Sequence, residues 1–252
     1  MFDVVAEAYD RYMGRYSQPL APRFADFAGV AAGQRVLDVG CGPGALTAEL
    51  VRRLDPSAVA AVDPSASFVA AARERHPGAT VTQGSAEELP FADDAFDLAL
   101  AQLVVHFMRD ADAGVRELAR VTRPGGVVAA CVWDHAGECG PLSPFWRAAR
   151  TFDPDMADES DLAGSRRGDL GRRFRTAGLD AVEEGVLSVS VDHGSFADWW
   201  EPLTLGVGPA GAYLATLGPR RWTRLREACR AVLPGERVVV TARAWAARGV
   251  VP

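Results

Sequence analysis

The chain has 252 residues, 48% of them apolar, and a net charge of −6. That length suits one α/β domain with a sizeable core, and the acidic balance argues against nucleic acid as the main partner, because phosphate binding needs a positive surface. No apolar run approaches the ~18 residues of a membrane span, and Asp3 and Glu7 stand where a signal peptide would carry basic residues, so the reading is a cytoplasmic chain without a membrane partner.

Residues 1–30 read as two short helices. Phe2, Val5, Ala6 and Tyr9 share a face of the first, and Pro22 and Phe24 open the second. Arg35 to Val39 then reads as a short buried strand. It runs into Gly40-Cys41-Gly42-Pro43-Gly44, with glycine at every second position, and into a helix carrying Leu46, Leu50 and Leu54 on one face. A tight glycine turn between a parallel strand and a helix N-terminus is where α/β sheets bind nucleotide-like ligands. Val59 to Val62 is a second strand, ending in Asp63-Pro64-Ser65. Val81 to Gln83 is a third, followed by Gly84 to Phe91. A fourth starts at Phe96-Asp97-Leu98-Ala99-Leu100. Arg123-Pro124-Gly125-Gly126 reads as a turn before a fifth, Val127 to Val132.

Residues 134–165 are polar and rich in Pro, Asp and Gly, with a short helical piece near Phe145 to Phe152. A connection this long is a functional or mobile segment. Leu170, Phe174 and Ala177 mark an amphipathic helix stopped by Gly178. Val186 to Val191 alternates as a strand. Ser195 caps a helix with Trp199, Trp200 and Leu203. Trp222, Leu225, Cys229 and Val232 share a face of another, and Arg237 to Trp245 is the closing strand. The division is a cap at 1–30, a ligand-binding core at 31–133, acceptor-side insertions at 134–235 and a final strand at 236–252, all within one domain.

All 27 basic residues are arginine, and Lys, Asn and Ile are absent. Without lysine the chain has no Schiff-base chemistry. Cys41, Cys131, Cys139 and Cys229 are far apart and form no C-x-x-C, so they read as free thiols and no metal site is expected.

Two ligands fit the glycine turn. Gly40-x-Gly42-x-x-Ala45 satisfies a loose dinucleotide fingerprint, with Asp63 placed to hold a ribose. Against it, Pro43 stiffens the turn where a pyrophosphate needs free backbone N–H groups. Asp38-x-Gly40-x-Gly42-x-Gly44 resembles motif I of class I S-adenosylmethionine (SAM)-dependent methyltransferases. From about Arg35 to Trp133 the succession resembles that superfamily's motifs I, II and III and its post-motif turn. Tyr9-Asp10-Arg11-Tyr12-Met13-Gly14-Arg15-Tyr16 is similar to the N-terminal cap of the ubiquinone/menaquinone biosynthesis type, and Trp199 to Gly206 to a group of largely uncharacterised bacterial methyltransferases. The resemblance implies a Rossmann-like, doubly wound α/β sheet of seven strands with the last inserted antiparallel. It also implies SAM as cofactor, S-adenosylhomocysteine (SAH) as product and a small-molecule acceptor.

The same resemblance, with the residue chemistry, names a site. Gly40, Cys41 and Gly42 let the main chain approach the cofactor, and Asp38 orients the turn or reaches the methionine ammonium through water. Asp63, followed by Pro64, holds the ribose hydroxyls; capping the next helix is its competing role. Ser85 and Ala86 meet the adenine edge. Many relatives have Asp at the Ser85 position, so Glu87 is a substitute acceptor. Gln102 offers its carbonyl oxygen to the SAM amino group. Tyr9 and Arg15 of the cap are assigned to the cofactor. Tyr12, Tyr16, His106, Trp133, Trp199 and Trp200 are assigned to the acceptor pocket, with plain packing as the alternative. General-base candidates are His106 and Asp134, then His135 and His193. A catalytically silent SAM-binding protein and a nicotinamide oxidoreductase are the rival readings.

Overall fold

The computed structural model describes residues 6–154, 156 and 158–252. Phe2 and Val5 of the expected first helix lie outside the described residues. The helices are α1 (Ala6–Tyr9), α2 (Arg15–Ala28), α3 (Ala45–Arg53), α4 (Ala66–Arg75), α5 (Ala111–Val121), α6 (Ser143–Arg150), α7 (Asp169–Thr176), α8 (Phe196–Trp200), α9 (Gly208–Ala215) and α10 (Pro219–Val232). The strands are β1 (Val36–Val39), β2 (Val59–Asp63), β3 (Thr80–Gln83), β4 (Phe96–Gln102), β5 (Thr122–Trp133), β6 (Asp180–Asp192) and β7 (Val239–Val250).

They form one seven-stranded sheet in the order β3-β2-β1-β4-β5-β7-β6. Strands β1 to β5 pair in parallel, and β7 is antiparallel to both β5 and β6. The reason lies in the strand sequences. All four residues of β1 are buried, as a central strand covered on both faces requires. Alternate residues of β4 feed two cores: Leu98 and Leu100 pack with the cap and the C-terminal helices, Ala99 and Ala101 with α5 and α7. β6, at the sheet edge, is mostly exposed and carries Asp180, Glu183, Glu184 and Asp192, charges that discourage further strand pairing. That exposure explains why the apolar pattern reveals only its second half.

Two expectations about local structure change. The cap is a continuous helical run rather than two short helices. A π-helical turn, Asp10–Gly14, joins α1 to α2, and Pro19 and Pro22 lie inside α2. Each proline removes a backbone hydrogen bond, but Tyr16, Leu20, Phe24 and Ala28, spaced by four, are all buried on one face, and that packing prevails. Arg123 to Gly126 is an irregularity within β5 rather than a turn ahead of it. The pairing slips from Phe96↔Thr122 to Leu98↔Val127, with Gly125 at φ +74°.

The chain goes from β1 outward through β2 and β3, then returns to β4 on the other side of β1. The crevice at the carboxyl ends of β1 and β4 is therefore the topological switch point.

Candidate active site

The glycine turn is pinned to the neighbouring strand. The N–H groups of Gly40 and Cys41 both donate to the Val62 carbonyl, at 2.7 and 3.0 Å. Gly40 has no room for a side chain, because a Cβ there would lie 2.4 Å from Val104 Cγ2. Gly42 differs. At φ +54° it takes a left-handed conformation, and among the described residues nothing stands within 4 Å of where its Cβ would be. The turn thus presents bare backbone to open space above β1.

Two carboxylates frame it. Asp38 is 1% exposed and accepts from Thr47 Oγ1 at 2.7 Å. Burial pushes its carboxyl up to about 7, against the lowering effect of the Thr47 bond. Asp63, at the tip of β2, accepts from Gly42 N at 2.8 Å and Ser65 N at 2.9 Å. Burial raises its pKa, and these two bonds oppose the rise. Asp63 therefore ties the glycine turn to the start of α4 while lying at the crevice. The cap of α4 itself is Ser65, whose hydroxyl accepts from Phe68 N.

Gln102 ends β4. Its Nε2 donates to the Ser17 carbonyl at 3.1 Å, fastening α2 to the strand. Its Oε1 is buried and has no hydrogen-bond partner among the described residues. A buried acceptor without a donor is costly, and an ammonium or amide ligand would satisfy it. The next residue, Leu103, has φ +63°, a strained angle for a branched side chain. At the β3 tip Ala86 is buried. The Ser85 hydroxyl donates to the Glu87 carboxylate, which also accepts from Arg109 N at 2.7 Å. Glu87 is therefore engaged by its own loop and by the segment that leads into α5.

The cap crosses this crevice. Tyr9 packs edge-on against Phe68 at 5.2 Å, and burial together with the Asp63 charge pushes its hydroxyl pKa up. Asp10 pairs with Arg75 at 2.7 Å, and Arg75 donates to the Pro43 carbonyl at 3.1 Å. Beyond it lies a small cavity of about 30 Å³. Its walls include Tyr12, Leu103, His106, Trp133, His135 and Glu159. The Tyr12 hydroxyl, His106 Nδ1, Trp133 Nε1 and His135 Nε2 are buried there without hydrogen-bond partners among the described residues. Burial holds both imidazoles below the usual histidine range, His106 well below it.

Several expected site residues have other tasks. Asp134 is not free to act as a base. It is 1% exposed, accepts from Arg243 Nε and Gly137 N, both at 2.8 Å, and so ties β5 to β7. Arg15, assigned to the cofactor, is bonded to the C-terminal part of the chain. Its Nη1 donates to His193 Nδ1 at 3.2 Å and to the Asp198 carbonyl at 3.3 Å. Guanidinium only donates, so His193 Nδ1 is the acceptor and Nε2–H donates to the Tyr16 oxygen at 2.7 Å. Both ring nitrogens of His193 are used, and Tyr16 is a packed, bonded residue between α2 and the end of β6. Trp200 belongs to the core, packing on Phe145 and, at 5.4 Å, on Trp222. Trp199 borders a second small cavity with Tyr12, Tyr16 and Leu142. Thr47 and Glu159 had no place in the sequence reading. Thr47 is visible only as a hydroxyl nine residues after Asp38, and Glu159 is one acid among several in a polar loop.

Comparisons with known proteins agree with this geometry. Residues 37–130 match the family described as methyltransferase domain. The chain is 39% identical over 120 residues to 2-methyl-6-phytyl-1,4-hydroquinone methyltransferase 2 of Oryza sativa subsp. japonica, covering 47% of this chain and 32% of that protein. It is 35% identical over 127 residues to malonyl-(acyl-carrier protein) O-methyltransferase of Erwinia billingiae, covering 50% and 49%. The match thus spans half or less of each relative's length. The YcgJ protein of Bacillus subtilis has the same fold, with TM-score 0.59 at 20% identity over 92% of this chain and 97% of that one. The residues that carry the switch-point turn, 37–130, thus match a methyltransferase domain, and they are set in a seven-stranded sheet closed by an antiparallel strand from the rest of the chain.

Proposed function

We propose that this chain transfers a methyl group from SAM to a small-molecule acceptor. One observation carries the reading: an open glycine turn, two buried carboxylates and the unpartnered Gln102 Oε1 converge at the carboxyl ends of β1, β2 and β4. The residues fit the cofactor. Gly40 to Gly42 present backbone, Asp63 has lone pairs left for ribose hydroxyls, and Asp38 and Gln102 Oε1 match a methionine ammonium. Ala86 N–H and the Ser85–Glu87 pair face the adenine edge in this reading. SAM supplies a methyl on a sulfonium, a leaving group already activated.

The protein's own task is then alignment. A nucleophile must sit roughly 3–3.5 Å behind the methyl carbon. The cavity under Tyr12, His106 and Trp133 is the place for it, and its small volume means that the cap moves when an acceptor enters. His106, neutral through the physiological range, is the base that takes a proton from a hydroxyl or protonated-amine acceptor. The relatives named for a hydroquinone and for malonyl-acyl-carrier protein support a small acyl or ring acceptor. No described helix is long and apolar enough to cross a membrane, and with the net charge of −6 we take the setting as cytoplasmic.

Calorimetry with SAM, SAH and NADH on the purified chain tests the cofactor. Binding of NADH with no binding of SAM or SAH would remove the proposal. Incorporation of labelled methyl into a panel of phenols, acids and amines then separates an enzyme from a silent SAM-binding protein.

A further inference from the structure

Beside His106 the cavity wall holds two side chains, His135 and Glu159, that the proposed methyl transfer does not use. His106 comes from the 3₁₀ turn after β4, His135 from the loop after β5, and Glu159 from the long polar segment that follows α6. One ring nitrogen from each histidine and one carboxylate oxygen lie within 4.8 Å of one another. The two rings are 5.5 Å apart between centroids.

The electrostatics of the group are incomplete. Glu159 is 4% exposed. Trp146 Nε1 donates to its Oε2 at 2.9 Å, and His135 Nδ1 lies 3.7 Å from the same oxygen, beyond a hydrogen bond. No arginine pairs with Glu159 among the described residues. A buried carboxylate without a cation is strongly disfavoured. His106 Nδ1 and His135 Nε2 add two buried nitrogens without hydrogen-bond partners among the described residues. Imidazole nitrogens and a carboxylate oxygen facing one small space are a donor set that a divalent transition-metal ion takes.

We propose that His106, His135 and Glu159 form a binding site for one divalent transition-metal ion. Three atoms within 4.8 Å of each other share a centre no more than about 2.8 Å from each, so modest side-chain rotation brings them to the ~2.0–2.2 Å of Zn–N and Zn–O bonds. Two imidazoles and one carboxylate suit Zn(II), Co(II), Mn(II) or Fe(II), not Ca(II) or Mg(II), which prefer all-oxygen shells. The cavity of about 30 Å³ accommodates an ion with a water, since one water needs ~10–15 Å³. Three protein ligands leave at least one coordination position for that water or for an acceptor oxygen. In the loaded form His106 is a ligand, and its service as a free base belongs to the metal-free form.

The test reads binding, so it stands apart from whether methyl transfer occurs. The purified full chain is stripped with chelator, dialysed against Zn(II) or Co(II), and measured for metal content, Co(II) ligand-field absorption and thermal shift. The expected result is one ion per chain, a Co(II) spectrum showing nitrogen ligation, and a rise in Tm. His135→Ala and Glu159→Gln should each weaken the ion by more than the ~10–100-fold typical of losing an outer partner, while SAM affinity is unchanged. Glu159→Gln is nearly isosteric and keeps an acceptor for Trp146, so it guards against a result due only to misfolding. Metal content that stays below stoichiometric, or equal affinity in wild type and both variants, overturns the proposal. A primary amine that raises the Tm of wild type but not of Glu159→Gln, with no metal effect, would assign the carboxylate to an ammonium group instead.

Discussion

Thr47 Oγ1 donates to Asp38 Oδ2 at 2.7 Å, joining the first turn of α3 to the end of β1 beneath the glycine turn. Both residues are buried, Thr47 completely. The bond fixes the acid that the proposed cofactor reading sets against the methionine ammonium, while burial favours its protonated form. A cationic ligand reverses that preference. SAM binding near neutral pH should therefore release protons, with Asp38 as the main source. Calorimetry in buffers of differing ionisation enthalpy checks this, and equal heats in all buffers would contradict it.

The same acid makes stability depend on pH. Its folded-state pKa, about 7, lies above the ordinary 3.8, so the folded state binds the extra proton. The contribution of this one group to stability is then largest below about 4, falls as pH rises towards about 7 and levels off above it. Asp38→Asn should flatten this contribution. Urea titrations of wild type and variant from pH 5 to 8 provide the comparison.

Asp63 accepts from Gly42 N and Ser65 N, so removing it loosens the glycine turn as well as any contact to the proposed cofactor's ribose. Asp63→Ala should weaken SAM binding by about 1–3 kcal/mol. Gly42→Val should weaken it too, because its φ of +54° excludes a branched residue and the side chain would project into the open space. Unchanged affinity in a folded Gly42→Val protein would count against the turn as the cofactor site.

His106→Ala should lose roughly 10²–10⁴-fold in turnover and keep SAM affinity. The pH profile should show no step from this histidine between pH 6 and 8, because burial keeps its pKa well below the usual value. A turnover loss under about tenfold would leave catalysis to alignment alone.

Asp134 should behave as a structural acid. Asp134→Asn, which weakens its link to Arg243 and Gly137, should cost about 1–3 kcal/mol of stability. SAM affinity should stay unchanged. A normal Tm with lost turnover would restore Asp134 to the chemistry.

Hydrogen exchange checks the cap. Residues 9–16 and 134–154, which contribute Tyr9, Tyr12, Met13, His135, Pro141 and Leu142 to the cavity wall, should gain protection when SAM and an acceptor bind together. Equal protection in all states would rule out movement of these segments.

The sequence by itself determined the frame. The alternation of apolar strands and amphipathic helices, the alternate glycines after Asp38 and the acid ending β2 are local patterns, set by side-chain period and backbone sterics. They placed Asp38, Gly40, Gly42, Asp63 and Gln102 at one sheet edge before any contact was known. Partnerships between distant residues were decided by the tertiary structure alone. Asp134 and Arg243 meet because β7 pairs with β5, Arg15 and His193 because the cap packs on the end of β6, and His106 and His135 because β4 and β5 are neighbours in the sheet, with Glu159 brought to them by the segment after α6. An exposed acid and a buried, unpaired one have the same letter in a sequence. Burial distinguishes them, and burial comes from how the whole chain packs.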